Sequence, residues 1–546
     1  MAAPRVAVLS NYELLTSIFC CLLPWDPASM GREEVRTGRM QLRDAALACK
    51  AFRGPALACL WTYLDSLIPL VKVLPNVQLV GNTYSFHGHI PDDCALRKYA
   101  RHIRVIDLRA TLLAPQGTAP TVSPHVYVLM AKELEGKPLF PALRKVYVQA
   151  QADLTNELAA LPLIFAPSVE SLTFSGPSIE QAFFESYCFP LAVKEMGSLK
   201  HLALKHETLD VPASVINAIG ELQTLETLDI QLPGSSQIPP DSLIRIGRKL
   251  KMLTDLTLDV HFPGHRVVEQ AFSVAQGHDI FPVLKTARVF SRDTHGPCSC
   301  IPPSILSRAT TLAIVIPAPV RDANHFASYV KAMKASPSIK NLDLLSGGNR
   351  GPVIIDDLDA ILPFLGPDLA LQSLKFGNMY LSRRPDMTDP FLQLCKQRSA
   401  LSKIPSSLRS LTLPAFSTPG PTRFFQRSSI EIFPVLAICL NLESLSLSVT
   451  STPEQASKSL NSQRNLKQPK RLSKLRYLAI RDCRESATFT AQEYDDIAQL
   501  LDLCFPILET MKPYVDSDIE EAYWKEHWWF IERLRKMYQK IRVTQQ

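Results

Sequence analysis

A chain of 546 residues is longer than one ordinary globular core, so the sequence predicts several domains or an extended array of repeats. Hydrophobic residues make up 46% of the chain and charged residues 20%, a composition that excludes wholesale disorder. The formal net charge of +7 is small for this length and gives no case for a nucleic-acid partner.

Cysteine usage and hydropathy indicate the compartment. The 12 cysteines are scattered without a C-x-x-C pair, which is typical of thiols in a reducing environment. Residues 6–23 are fairly apolar, but Asn11 and Glu13 interrupt them and no small-residue cleavage site follows, so no signal peptide is expected. No apolar run reaches the ~18 residues of a membrane span. We expect an intracellular protein, cytoplasmic and/or nuclear, with no membrane partner.

Residues 1–70 predict a small helical module. Ser10 and Glu13 have the spacing of a capping box, and the apolar residues behind them recur at helical intervals as far as Leu22. Pro24 should end this first helix. Residues 25–39 then read as a polar, irregular insertion before the next helix.

Two further helices are expected in this module. The second should begin near Gln41, and Pro55 is placed as the first residue of the third. A core of this size is marginal by itself, and its surplus apolar surface has two interpretations. The helices either offer a docking site to a partner or cap the repeats that follow.

The module also resembles the F-box, most closely that of mushroom-forming fungi, in which a long, divergent leucine-rich region follows. Two departures are Ser10, where the family usually has proline, and the longer spacing between the first two helices. The resemblance rests on Leu9, residues 13–15, 18–19, 46–52, 55–57 and 60–70.

This resemblance implies that the module binds the Skp-type adaptor of a cullin–RING ubiquitin ligase. Some of the candidate residues for that surface must instead hold the three helices together. The candidates are Leu9, Leu14, Leu15, Ile18, Leu47 and Trp61.

Residues 71–100 carry few regular signals and read as a linker, punctuated by Pro75, Gly81 and Gly88. His87 and His89 could be half of a metal site, but no cysteine or carboxylate cluster completes it. A solvated turn is the favoured interpretation, and no metal or other cofactor is expected.

A short pattern recurs from residue 101 to residue 515. An aliphatic residue stands at its first, fourth and sixth places, and copies begin roughly 25 to 40 residues apart. Places four and six alternate with period two, so each copy predicts a short strand with one buried face. The copies begin at Ile103, Leu143, Val169, Leu199, Leu225, Leu253, Ile339, Leu371, Leu408, Leu442 and Leu475, with degraded copies at Leu284 and Ala309.

These copies predict an α/β fold, an irregular leucine-rich-repeat solenoid with parallel strands. Residues 211–222 and 356–365 read as helices that return between strands. The Asn or Cys ladder of regular leucine-rich repeats is absent and many copies are longer, so a helix-bearing version is favoured over a uniform horseshoe. An unrelated α/β domain with several parallel strands is the alternative.

Three loops contain residue types found at binding sites. Residues 292–300 bring histidine and cysteines together without the spacing of four tetrahedral ligands, and residues 347–351 are glycine-rich without a phosphate-binding pattern. Both read as ordinary loops. The basic run 464–476 could be a nuclear address or attract an acidic partner, but a solvated loop is favoured.

Residues 516–546 predict an amphipathic C-terminal helix with a second capping box at Ser517 and Glu520. It is expected to cap the last repeat. The alternatives are a helix on a membrane surface or an element that contacts the substrate. Its apolar stripe comprises Trp524, Trp528, Ile531, Leu534, Tyr538 and Ile541.

No catalytic pattern is found, so the sequence does not predict an enzyme. The expected function is a substrate-recognition adapter of a Skp–cullin–F-box ligase, with an unidentified protein substrate held on polar strand positions such as Glu443, Ser444 and Ser446. Transfer of ubiquitin to that substrate would then rest on proximity. A repeat scaffold without a ligase connection is the main alternative, and an enzyme with dispersed site residues is a third.

Overall fold

A computed structural model of the protein shows an α/β fold that divides into two compact units. The first unit comprises Met1–Pro263 with Gly277–Val283, and the second comprises Gly264–Gln276 with Leu284–Gln546. The structure describes residues 11–24, 30, 32–91, 94–108, 120–148, 159–175, 182, 184–206, 211–233, 239–260, 280–290, 308–316, 330, 333–334, 336, 338–346, 353–355, 364, 369–377, 379–381, 407–416, 430–437, 441–449, 451, 453–465, 473–482, 489–514 and 524–545.

The first unit opens with three helices and continues as strands that alternate with shorter helices. Its helices are α1 (Tyr12–Cys20), α2 (Arg32–Ala48), α3 (Lys50–Leu60), α4 (Ile68–Val71), α5 (Ala95–Ala100), α6 (Pro124–Glu133), α7 (Leu161–Ile164), α8 (Phe189–Glu195), α9 (Ala213–Ile219) and α10 (Pro240–Lys249). Its strands are β1 (Tyr63–Leu64), β2 (Val77–Val80), β3 (Thr83–Phe86), β4 (Val105–Asp107), β5 (Thr121–Val122), β6 (Lys145–Val148), β7 (Ser171–Ser175), β8 (His201–Lys205), β9 (Thr227–Gln231) and β10 (Asp255–Asp259).

The second unit repeats the strand pattern and ends in long helices. Its strands are β11 (Thr286–Phe290), β12 (Thr311–Ile316), β13 (Asn341–Ser346), β14 (Val353–Ile355), β15 (Ser373–Gly377), β16 (Met379–Leu381), β17 (Ser410–Thr412), β18 (Ala415–Phe416), β19 (Ser444–Val449), β20 (Tyr477–Asp482) and β21 (Thr510–Pro513). Its helices are α11 (Phe433–Leu436), α12 (Pro453–Asn465), α13 (Ala491–Cys504) and α14 (Trp529–Gln545), which a π-helical turn (Trp524–Trp528) precedes.

Parallel strands in chain order form the main sheet of each unit. In the first unit β1, β4 and β6 to β10 pair in succession, and in the second β11 to β13, β15, β17 and β19 to β21 do so. Strands β14, β16 and β18 form a second parallel sheet. Every predicted copy of the pattern, including both degraded ones, is therefore confirmed as a parallel strand.

The register explains why the aliphatic pattern specifies this sheet. Leu342 lies opposite Leu374 and Leu344 opposite Phe376, and all four side chains are buried. Equivalent apolar positions thus stack strand upon strand, while the residues between them point to the other face. Stacking of each strand on its neighbours is the arrangement that a solenoid requires.

One predicted return helix is found between strands, and the predicted linker before the repeats has regular structure. Helix α9 lies within residues 211–222, with Val215, Ile216 and Ile219 buried as the spacing predicts. The predicted linker 71–100 instead contains the antiparallel hairpin β2–β3 and helix α5. Gly81, with φ +63°, occupies the two-residue turn of that hairpin, a backbone conformation that glycine adopts without strain.

The boundaries of the opening helices differ from prediction. The N-cap of α1 is Asn11, whose side chain accepts from Leu14 N at 3.0 Å, so the cap lies one residue after the predicted one. Helix α2 includes most of the predicted insertion because Val35 and Leu42, seven residues apart, are buried on one face. Helix α3 starts five residues before Pro55, since extended Cys49 accepts the first backbone bonds.

Several predicted features lie outside the described residues. These are the second capping box at Ser517 and Glu520, the loops 292–300 and 347–351, most of the return helix 356–365, and the middle of the basic run 464–476. Within the described residues, no helix is both long enough and apolar enough to cross a bilayer.

Candidate protein-interaction surfaces

The three opening helices share a small core with the first strands of the sheet. Its buried residues come from all three helices, from Leu23, from Tyr63 on β1 and from Val105 on β4. Phe19 and Phe52 meet edge to face, with ring centroids 5.4 Å apart. Leu15, Phe19, Leu23, Val35, Leu42, Ala46, Ala56, Cys59 and Tyr63 are buried in this cluster.

Other apolar side chains of the same helices remain exposed. Leu14 is 41% exposed, Ile18 48% and Leu47 78%. Leu14 and Ile18 are four residues apart and form one stripe along α1, on a different face from buried Leu15. We call Tyr12, Leu14, Ile18 and Leu47 the exposed apolar set.

The predicted adaptor-binding residues therefore separate into two groups. Leu14, Ile18 and Leu47 are available to a partner. The prediction is wrong for Leu15, which is buried in the core beneath the three helices and is not available to a partner. Trp61 is half-buried and stacks on Tyr99 with centroids 4.6 Å apart, and it thereby contacts α5. Leu9 lies outside the described residues.

Tyr12 is a member of the exposed apolar set that sequence reasoning missed. A Cβ atom on Gly54 would lie 3.3 Å from its ring, so the ring packs where α3 has no side chain. Tyr12 is nevertheless half exposed. Its position at the first turn of α1, next to the asparagine cap, is the signal that could have identified it.

The module is joined to the repeats by buried and partly buried polar contacts. Arg39 on α2 donates to Asp65 Oδ2 at 2.8 Å and to the Tyr63 carbonyl at 3.0 Å. The Tyr63 hydroxyl donates in turn to Asp107 Oδ2 at 3.1 Å, at the end of β4. These contacts orient the three helices against the first strands of the sheet.

A row of charged residues follows the second position of the repeated pattern. In neighbouring repeats these residues place opposite charges side by side. All of these pairs are exposed or half exposed, so each contributes little to stability. Sequence reasoning missed this row, which the pattern itself could have revealed. The pairs are Arg144 with Glu170, Lys200 Nζ with Glu226 at 3.7 Å, Arg409 with Glu443 at 3.5 Å and Arg476 with Glu509 at 3.3 Å.

The polar positions between the buried leucines lie on the other face of the sheet. Ser444 and Ser446, which were predicted to face a bound protein, are half-buried on β19. Asp343 has the same orientation on β13, between Ala313 and Lys375 on the neighbouring strands. Burial raises the pKa of Asp343, and the nearby cations Lys375 and Arg288 oppose that rise.

The C-terminal helix packs against the last strands and α13 of the second unit. Trp528 is fully buried, and its indole donates to Asp482 Oδ2 at 3.1 Å. Arg535 is also fully buried and donates to Glu532 at 2.8 Å and to the Leu508 carbonyl at 2.9 Å. Of the predicted apolar stripe, Trp528 and Ile531 are buried, whereas Ile541 is exposed.

Potential metal ligands do not assemble in the part of the chain that the structure describes. No group of three or more His, Cys, Asp or Glu side chains there is arranged to hold a metal ion. His87 lies 6.3 Å from His125 between ring centroids, and His89 contacts Glu133. Gly88 between the two histidines has φ +116°, a turn conformation suited to glycine.

Comparisons with known proteins identify no family. No family model matches the chain, and no curated protein matches it. The solved structures that match include the crystal structure of a TLR13–ssRNA13 complex, at 17% identity and a TM-score of 0.33. The match covers 76% of this chain and 44% of the other, so this chain spans less than half the length of that one. At this TM-score the likeness carries no conclusion about function.

Proposed function

We propose that the protein is a substrate-recognition adapter of a Skp–cullin–F-box ubiquitin ligase. The opening helices would dock the Skp-type adaptor, and the repeats would hold a protein substrate. The observation that carries the proposal is the exposed apolar set, which lies outside the buried cluster that the three helices form with Tyr63 and Val105. The resemblance of residues 9–75 to the F-box supplies the identity of the partner.

The exposed apolar set supports docking on physical grounds. Leu14, Ile18 and Leu47 leave large aliphatic surface in water although the core beneath them is filled. Complete burial of one such side chain contributes about 1.5–3 kcal/mol, and these residues retain roughly half of that gain for a partner. These three side chains therefore offer apolar surface of the kind found at the centre of specific protein interfaces.

The repeats support the second half of the proposal. Parallel strands place their intervening side chains in register, as with Ser410, Ser444 and Tyr477 on three successive strands. Such rows of side chains form extended surfaces that can bind a protein. A substrate held there has its lysines at a high effective concentration near the conjugating enzyme that the adaptor recruits.

A repeat scaffold without a ligase connection is the second candidate. The observation that favours it is the pair of partly buried contacts from Arg39 to Asp65 and Tyr63, because these attach α2 to the sheet as a cap would be attached. A cap and a docking module are not exclusive, since the capping contacts do not use Leu14, Ile18 or Leu47. The two candidates differ in whether the exposed apolar set binds the adaptor.

Capture of the full-length chain by a purified Skp-type adaptor tests the proposal. We expect the wild-type chain to be retained and the double variant Leu14→Asp/Ile18→Asp to be lost. Both sites are exposed, so the helical circular dichroism and the unfolding midpoint should be unchanged. The matched control is Val128→Asp, which alters another exposed aliphatic residue, on α6, and should leave capture intact.

Two results would contradict the proposal, the first its ligase connection and the second its docking site. If the wild-type chain is not retained, the three helices act only as a cap and the scaffold candidate stands. If the double variant is retained as well as wild type, the adaptor binds elsewhere and the exposed apolar set is not its site. A separate Leu47→Asp variant should weaken capture as well. This result would show that the site extends beyond α1 to α2.

A further inference from the structure

The outward face of α14 carries large apolar side chains that the second unit does not cover. Trp529 is 45% exposed, Phe530 49%, Met537 46% and Ile541 43%. The opposite face of the same helix is anchored by buried Ile531 and Arg535. The helix therefore has one face fixed in the protein and a second apolar face in solvent.

The spacing of that second face is specific. Phe530, half-buried Leu534, Met537 and Ile541 follow one another at intervals of four, three and four residues. This is the spacing of a coiled-coil seam, in which two apolar positions recur in each heptad. It spans three turns of helix, about 17 Å at 1.5 Å per residue. A second helix of similar length would cover it.

Cations flank the seam on one side. Arg533 and Lys540 each precede a seam residue, and both are exposed. Arg533 lies over the Trp529 ring at 4.6 Å from the centroid, which holds its charge beside the seam. The acidic residue within the helix, Glu532, is engaged by Arg535 at 2.8 Å and by Lys536 at 3.1 Å. The flank is therefore positive.

We infer that this face docks an amphipathic α-helix of another protein, with acidic residues flanking its apolar seam. Acidic side chains at the partner's flanking positions would pair with Arg533 and Lys540 while its apolar residues pack against Phe530, Met537 and Ile541. The inference is independent of the proposed ligase function, because it concerns the opposite end of the chain from the exposed apolar set.

Charge distinguishes this occupant from a second copy of the chain. In an antiparallel pair of α14 helices the cationic flanks would face each other and repel. In a parallel pair Arg533 would face Tyr538, which offers no negative charge. An anionic membrane is also a less suitable occupant of this face. Helices that bind a membrane surface have cations on both sides of the apolar face, whereas here the cations lie on one side.

The test uses the full-length chain and two synthetic peptides of three heptads with leucine and isoleucine in the seam. One peptide has glutamate at the flanking positions and the other lysine. Fluorescence anisotropy should show that the wild-type chain binds the glutamate peptide at least about tenfold more tightly than the lysine peptide. The variant Arg533→Glu/Lys540→Glu should reverse this preference, a gain of binding that an unfolded variant could not show.

Controls separate this seam from other surfaces. Lys251→Glu/Lys458→Glu matches the charge change at two exposed sites outside α14 and should retain the wild-type preference. Met537→Asp should abolish binding of both peptides while the unfolding midpoint is unchanged. Equal affinity for both peptides, or no binding of either, would overturn the inference.

Two measurements on the wild-type chain address the other occupants. Light scattering that shows a dimer lost on Met537→Asp would assign the face to a second copy and overturn the inference. Sedimentation with phosphatidylcholine vesicles containing phosphatidylserine measures whether the chain binds an anionic membrane. Binding to these vesicles that needs Arg533 and Lys540, without preference between the peptides, would assign the face to a membrane instead.

Discussion

Arg39 and Asp65 form a largely buried ion pair between α2 and the residue that follows β1, with Nη1 of the arginine 2.8 Å from Oδ2 of the carboxylate. The same guanidinium donates to the Tyr63 carbonyl, so one side chain fixes a helix of the opening module against the first strand of the sheet. The pair thus determines how the exposed apolar set is presented relative to the repeats of the first unit.

Arg39→Met should destabilise this junction, because it leaves the Asp65 carboxylate buried without its cation. We expect a loss of about 2–3 kcal/mol, below the range for a completely buried pair because some exposure remains. Chemical denaturation followed by circular dichroism measures it. The control is Arg36→Met, whose pair with Glu33 is exposed on both sides and should change stability by less than about 0.5 kcal/mol. Equal effects of the two variants would show that the junction does not depend on Arg39.

Gly38→Ala tests why α2 begins earlier than predicted. A Cβ atom at Gly38 would overlap the carbonyl oxygen of Leu22, which is backbone and cannot rotate away. The clash should cost about 1–3 kcal/mol, more than alanine gains from its higher helix propensity. Thermal unfolding measures the difference. Gly197→Ala is the matched control, since a Cβ there meets no atom within 4 Å. A Gly38→Ala chain as stable as wild type would show that α2 does not pack this closely on Leu22.

Sequence reasoning located every predicted strand of the sheets because the burial of each strand depends on a local alternation. Leu445 and Leu447 are buried while Ser444 and Ser446 between them are only half-buried, as the pattern requires. Because each strand stacks on a neighbour with the same alternation, the apolar positions of adjacent strands meet without any other signal in the sequence. The main sheet of each unit, apart from β1 and β21, could therefore be predicted from one short motif and its spacing. The hairpin β2–β3 and the sheet of β14, β16 and β18 could not, because no predicted copy of the motif falls on them.

The helical module could not be predicted as closely, because tertiary contacts decide it. Residues 25–39 are polar in composition, yet Val35 is buried in the cluster of the opening helices and Gly38 lies against the carbonyl of Leu22, just after α1 ends, so α2 begins earlier than predicted. Adjacent leucines also have the same propensity, and only the packed structure shows that Leu15 is inside and Leu14 outside. A capping box at Thr490 and Glu493 was missed although its sequence signal is present.

Leu15→Ala and Leu14→Ala should therefore have different effects although they alter neighbouring leucines. Leu15→Ala empties part of the module core and should cost about 2–5 kcal/mol. Leu14→Ala removes an exposed side chain and should change stability by less than about 0.5 kcal/mol while weakening adaptor capture. Unfolding and capture are measured on the same preparations. A reversed order of stability would place Leu14, and not Leu15, in the core.

Cys59 should make the opening module sensitive to high pH. Burial raises the pKa of this thiol from 9.0 to about 12, and its contact with Cys20 at 3.5 Å between sulfurs adds to the rise. A raised pKa means that the folded state holds the proton more tightly, so the stability from this group is complete below pH 9 and declines as the pH rises toward 12. Cys59→Ala should lose less stability than wild type over that range, when each is compared with its own value at pH 8. An equal decline in both chains would contradict the assignment.

Asp343→Asn tests the polar face of the sheet in the second unit. Burial raises the pKa of Asp343 above its ordinary value of 3.8 even though Lys375 and Arg288 favour the charged form. The charged carboxylate is therefore less favourable in the folded chain than in the unfolded chain. The stability linked to this group is complete below pH 3.8 and is lost as the pH rises through the raised pKa. Asparagine is neutral at every pH, so the variant should be more stable than wild type at pH 7, and the difference should disappear in acid.

Denaturation midpoints of both chains at pH 7 and at the lowest pH where the protein stays folded measure this difference. Asp44→Asn, an equal change of charge at an exposed site on α2, should leave the midpoint unchanged at both pH values. A lower midpoint for Asp343→Asn at pH 7 would mean that attraction to Lys375 and Arg288 outweighs burial. In that case the row of side chains between the buried leucines is held by its own charges, and a bound protein would have to break those pairs to use it.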